Sequence, residues 1–110
     1  MILDMMNMEE AAFPNFKGGE GVTYGKMYFD GMNRIFLARL PVGASIGEHT
    51  HETSSEIIHI LKGKARIIMD GAEEIALPGQ VHDCPKGHTH TTISAGEEDR
   101  VMMAVVPEQA

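Results

Sequence analysis

Four residues stand out for what their side chains could do together. His49 and His51 are separated by one residue, Glu56 follows after a short polar stretch, and His90 opens a threonine-rich run much further along the chain. Alternate residues of a strand point to the same face, about 6.5 Å apart. Two imidazoles placed that way can converge on one cation, each at about 2.0–2.1 Å in the case of zinc. On a continuous strand the odd offset from His51 would turn Glu56 to the opposite face. The intervening Glu52-Thr53-Ser54-Ser55 is turn-like, however, so Glu56 is expected to begin the next strand and swing its carboxylate back. It then shares a face with Ile58 and Ile60, while Ile57, His59 and Leu61 face away. His90 follows the tight turn Pro85-Lys86-Gly87 and shares its parity with Thr92. Metal binding is the chemistry this set can perform.

Other residues have two readings each. His82 and Cys84 share a parity on the run leading to Pro85, so either could back the metal cluster; Cys84 could equally be a small buried hydrophobe. His88 lies in the turn before His90, either as a solvated loop residue or as a gate or proton shuttle. Thr92 would line the cavity beside His90. Arg39 and Arg66 fall within expected strands. Inward, either could clamp a substrate carboxylate with two hydrogen bonds; outward, each is a surface charge. His59, out of phase with Glu56, is expected in packing or at an interface.

The elements that must position these residues are short and closely punctuated. Turn signals such as Asp30-Gly31, Asp70-Gly71 and Pro78-Gly79 separate apolar runs at 22–29, 34–40, 56–61, 65–69, 74–77, 81–84, 90–94 and 101–106. This spacing predicts an all-β sandwich or barrel, with Asp30-Gly31 and Asp70-Gly71 as hairpin turns. At 110 residues the chain makes one domain, divided into an arm over 1–20 and a β-domain over 21–110.

A net charge of −7 and nine scattered Lys and Arg residues exclude nucleic acid as an expected partner. No window approaches the roughly 18 apolar residues of a membrane helix. Asp4 interrupts the apolar start and no basic stretch precedes it, which argues against a signal peptide. The single cysteine rules out an internal disulfide and fits a reducing, cytoplasmic location.

Two motifs complete the pattern. Gly43, His49, His51, Glu56 and Gly63 fit G-x5-H-x-H-x4-E-x6-G, and Gly79, Pro85, Gly87 and His90 fit G-x5-P-x-G-x2-H-x3-N, with Ser94 in place of the final Asn. In these residues the chain resembles the cupin superfamily, and in its short inter-motif stretch the small single-domain members, or monocupins. The resemblance implies a double-stranded β-helix, or jelly-roll, barrel and one divalent metal ion held by His49, His51, Glu56 and His90. Three imidazoles and a carboxylate without a thiolate suit Fe, Mn, Ni, Co or Zn. Four protein ligands would leave two octahedral positions open to a small organic molecule.

The family contains dioxygenases, isomerases, decarboxylases and lyases, and a metalloenzyme whose substrate chelates the ion is the first functional expectation. A non-catalytic ligand-binding or sensing barrel is the alternative, and a metal-stabilised structural barrel a third. A homodimer is expected, since a small open-edged barrel gains by covering its exposed sheet.

Overall fold

Along β10 (Arg100–Pro107), Arg100, Met102 and Ala104 are buried while the residues between them are half-buried. The same period-two alternation recurs in β5 (Glu56–Lys62) and β9 (Thr89–Ala95), which bury Glu56, Ile58 and Ile60, and His90, Thr92 and Ser94. Each strand therefore has one face that must be covered, and two sheets close on one another to cover it. The computed structural model describes residues 1–109. Among these residues the other strands are β1 (Ala11–Pro14), β2 (Val22–Phe29), β3 (Asn33–Leu40), β4 (Ser45–Thr50), β6 (Lys64–Met69), β7 (Ala72–Ala76) and β8 (Val81–Cys84). One sheet has the order β1-β2-β3-β10-β5-β8, the other β4-β9-β6-β7, and every pairing is antiparallel. This is the all-β architecture expected from the turn spacing, in the jelly-roll arrangement that the resemblance implies.

The core between the sheets contains Phe36, Leu40, Ile46, Ile58, Ile60, Ile67 and Met102. Phe13 and Phe16 extend it, their rings 5.8 and 6.0 Å from that of Phe36. Both expected hairpins form. At Asp70-Gly71 the backbone has φ of +51° and +84°, the left-handed pair that matches the twist of a two-residue hairpin. At the other hairpin, Asp30 Oδ1 accepts from the backbone N–H groups of Met32 and Asn33 at 2.8 and 2.6 Å.

Three details differ from the sequence expectation. β7 begins two residues earlier than the run at 74–77, because Ala72 already pairs with Met69 across the turn. Within 1–20, β1 pairs with β2 as an edge strand, and a 3-10 turn over Phe16–Gly18 lies against β4. β4 itself was hidden by a bulge. Ile46 pairs with Thr92 and His49 with His90, so three steps on β4 match two on β9. The extra residue resets the parity and lets both Ile46 and His49 face inward. Glycine is required here by close approach: a Cβ on Gly47 would lie 2.1 Å from the carbonyl oxygen of Lys17. Among the described residues no helix is long and apolar enough to cross a membrane.

Candidate metal centre

β4 and the turn after it deliver His49 and His51, β5 begins with Glu56, and β9 carries His90 opposite His49. The structure brings all four together. His90 Nε2 lies 3.1 Å from His51 Nε2, 3.2 Å from His49 Nε2 and 2.9 Å from Glu56 Oε1. The same carboxylate oxygen is 3.2 Å from His51 Nε2 and 3.8 Å from His49 Nε2. Two donor atoms bound at right angles to one ion, each at about 2.1 Å, would be about 3.0 Å apart. The spacing therefore fits a shared cation.

The outer nitrogens set the tautomers. His49 Nδ1–H donates to the carbonyl of Gly47 at 2.7 Å, which leaves its Nε2 lone pair facing the cluster. His51 Nδ1 meets Ser54 Oγ at 3.2 Å, and His90 Nδ1 meets His82 Nε2 at 2.9 Å. Burial pushes the Glu56 carboxyl up, but the surrounding imidazoles of His49, His51 and His90 together outweigh it and hold the group well below the usual carboxylate range. A buried carboxylate with three imidazole nitrogens turned toward it calls for positive charge at their centre, and these residues fit a divalent ion.

His82 stacks on His90 with ring centroids 5.2 Å apart. Burial, followed by repulsion from His90, lowers its pKa from the ordinary 6.5. Below 6.5 and above its lower folded value, the unfolded chain binds a proton here that the folded chain does not. This stability is complete above that window and falls as pH falls through it. A melting series on metal-free protein from about pH 8 to about pH 5 is expected to show the decline, and His82→Gln to reduce it. An identical profile in the variant contradicts the assignment.

Cys84 is buried, its Sγ 3.7 Å from the carbonyl of His88; burial pushes the thiol up to about 11, so it is neutral near pH 7. With His82 and His90 it forms a second group of closely spaced donor atoms. Thr92 is buried beside His90 and accepts from Arg100 Nη2 at 2.9 Å. His88 turns its ring away to Asp70.

Neither strand arginine reaches the cluster. Arg39 points outward, pairs with Glu10 at 3.0 Å and Asp99 at 3.5 Å, and lies over the ring of Tyr24. Arg66 is exposed and pairs with Glu73. Both take the surface alternative, because strand parity puts Arg39 out of phase with Ala38 and Leu40, and Arg66 out of phase with Ala65 and Ile67. His59 likewise faces out.

Sequence reasoning missed Arg100. It follows Glu97-Glu98-Asp99 and resembles one more surface charge, yet it is fully buried. Its parity with Met102 and Ala104 was the available signal. Burial lowers its pKa to about 10 despite attraction from Glu56, so it is charged at neutral pH.

Above the cluster opens a cavity of about 530 Å3, lined by apolar Phe16, Met27, Phe36 and Ile46 and by polar Lys17, Arg34, Glu52 and Glu108, with His49, His51 and Glu56 at its inner end.

A β-barrel carrying three histidines and a glutamate at these positions defines the cupin class. A cupin domain family model matches residues 36–107, and the chain belongs to this family. Among individual proteins it is similar to an oxalate-binding protein of Thermotoga maritima, 27% identical over 112 residues that cover 96% of this chain and 93% of that protein. The crystal structure of a predicted oxalate decarboxylase from Thermotoga maritima superposes with a TM-score of 0.92 at 24% identity, covering 98% of this chain and 99% of the other. A cupin-superfamily sugar phosphate isomerase from Silicibacter pomeroyi matches at TM-score 0.79 and 18% identity, over 99% and 76%. These two structures share the fold.

Proposed function

We propose that the chain holds one divalent metal ion through His49, His51, Glu56 and His90, and that a small carboxylic acid of the oxalate type chelates the ion from the cavity. The convergence of four donor atoms at the inner end of an open cavity carries this reading. The similarity to an oxalate-binding protein supports the choice of acid. When bound, the ion supplies Lewis acidity to a carboxylate oxygen, and Fe, Mn, Ni, Co and Zn all suit the donor set.

The chain's own residues do the rest. The carbonyl of Gly47, the hydroxyl of Ser54 and the ring of His82 fix the imidazoles of His49, His51 and His90 in orientation. Phe16, Met27 and Phe36 exclude water from one wall, which strengthens polar contacts inside. Lys17 and Arg34 line the cavity beside Glu52 and Glu108, so a bound acid has two cationic side chains available to it there. Calorimetric titration of metal-loaded protein with oxalate tests the reading: binding of one acid per metal is expected, and no heat of binding overturns it.

A second reading is catalytic. Glu52 and Glu108 line the same cavity and offer carboxyl groups able to accept or return a proton near a bound acid. Product analysis after incubating loaded protein with oxalate separates a metalloenzyme from a binding module.

The homodimer belongs to the same proposal. Ile57, Leu61 and Val81 are 42%, 45% and 59% exposed on the outer face of β5 and β8. Beside them β10 pairs with β5, with Met103 opposite His59 and Val105 opposite Ile57. A stable interface buries about 800 Å2 per partner, within the reach of such a sheet face. Light scattering is expected to give twice the 12.0 kDa of one chain, and Ile57→Asp to yield monomers. A monomeric parent protein at micromolar concentration contradicts the dimer.

A further inference from the structure

Among the described residues Arg100 has no ion-pair partner. It is fully buried, its Nη2 donates to Thr92 Oγ1 at 2.9 Å, and among the described residues its Nε and Nη1 have no hydrogen-bond partner. Thr92 lies two residues from His90 on the same inward face of β9, so the guanidinium sits in the interior on the side of the donor cluster that carries Thr92, and it does not line the cavity. Among the charged side chains it is Glu56 whose attraction it feels. A buried cation with unsatisfied donors is costly unless something offsets it, and a single carboxylate cannot balance both this charge and a metal ion.

The interior charge can be counted. A divalent ion, one carboxylate, one guanidinium and neutral imidazoles leave two positive charges. A doubly charged acid cancels them, whereas a singly charged acid leaves one unbalanced in a poorly screened interior.

We infer that Arg100 determines which acids this centre accepts: its buried, unpaired charge selects a doubly charged chelating acid over a singly charged one. The inference rests on the proposed metal and acid site and adds the ligand's charge class and the residue that enforces it. Charges about 6–10 Å apart at an effective dielectric of about 20 change one another's binding by roughly tenfold or more.

The experiment compares oxalate with glycolate, a two-carbon chelator of single charge, by calorimetry on full-length protein loaded with Mn(II), alongside titration of Mn(II) into metal-free protein. Arg100→Met is expected to lower the oxalate-over-glycolate affinity ratio about tenfold and to tighten Mn(II) binding, because a like charge has gone. Arg100→Lys is expected to restore the ratio. Arg100→Gln serves as a second neutral variant should the methionine fail to pack, although replacing a buried unpaired charge by an apolar chain is often neutral or stabilising. A merely structural role would weaken metal and both acids together. That outcome, or an unchanged ratio in a folded neutral variant, overturns the inference and leaves the proposed function standing. Loaded parent protein that binds neither acid overturns both.

Discussion

His90→Ala is expected to leave a folded protein that no longer retains a stoichiometric metal ion. His90 Nε2 is the donor atom closest to all the others in the cluster, at 3.1 Å from His51, 3.2 Å from His49 and 2.9 Å from Glu56. Its removal also strands His82 Nε2, which meets the far side of the same ring. Loss of an outer hydrogen-bond partner to a ligand already costs about 10–100-fold in metal affinity, so loss of the ligand itself should exceed about a hundredfold. Elemental analysis after dialysis reads this directly. His59→Ala is the matched control, because that ring faces out from the opposite side of β5. Metal retained at parental stoichiometry by the His90 variant, or lost equally by the His59 variant, contradicts the site.

Gly47→Ala should strongly destabilise the fold, as Gly19→Ala should on the facing segment of the same contact. A Cβ at Gly47 would lie 2.1 Å from the Lys17 carbonyl oxygen, 2.7 Å from the Gly19 nitrogen and 2.8 Å from the Gly18 carbonyl carbon. All three are backbone atoms and cannot rotate aside, so the Phe16–Gly18 turn must separate from β4. Overpacking of this kind costs about 1–3 kcal/mol or more, and each kcal/mol lowers Tm by about 4–8 °C in a domain of this size. A fall of about 10 °C or more is therefore expected. The metal site should suffer as well, since the Gly47 carbonyl orients His49. Glu48→Ala, one residue along and exposed, should change stability by less than about 0.5 kcal/mol. Equal melting of Gly47→Ala and the parent contradicts the packing described.

Much of this was legible in the sequence because strand parity is a strict code. Parity placed Glu56 with Ile58 and Ile60, and His90 with Thr92, and the structure buries each of these sets. Turn residues marked both hairpins. What parity could not supply was any departure from regular pairing. The bulge between Ile46 and His49 shifts the code by one residue, and nothing in Ile46-Gly47-Glu48 announces it except a glycine whose neighbour, the turn before β2, is distant in sequence. Arg39, Arg66 and Arg100 show the same limit from another side. Each sits on a strand, yet only burial of the opposite sheet decides which arginine turns inward, and the acidic run before Arg100 masked the one that does. Parity also offered His82 and Cys84 together as residues that could back the cluster, and it is His82 that meets the His90 ring, a choice that depends on how the two sheets meet.

The most direct test of the central claim is anomalous diffraction from crystals of protein loaded with a single transition metal, recorded at that metal's absorption edge. One strong peak per chain is predicted, within about 2.0–2.3 Å of the Nε2 atoms of His49, His51 and His90 and of a Glu56 carboxylate oxygen. A peak at other residues, or no peak in protein that elemental analysis shows to carry the metal, would contradict it.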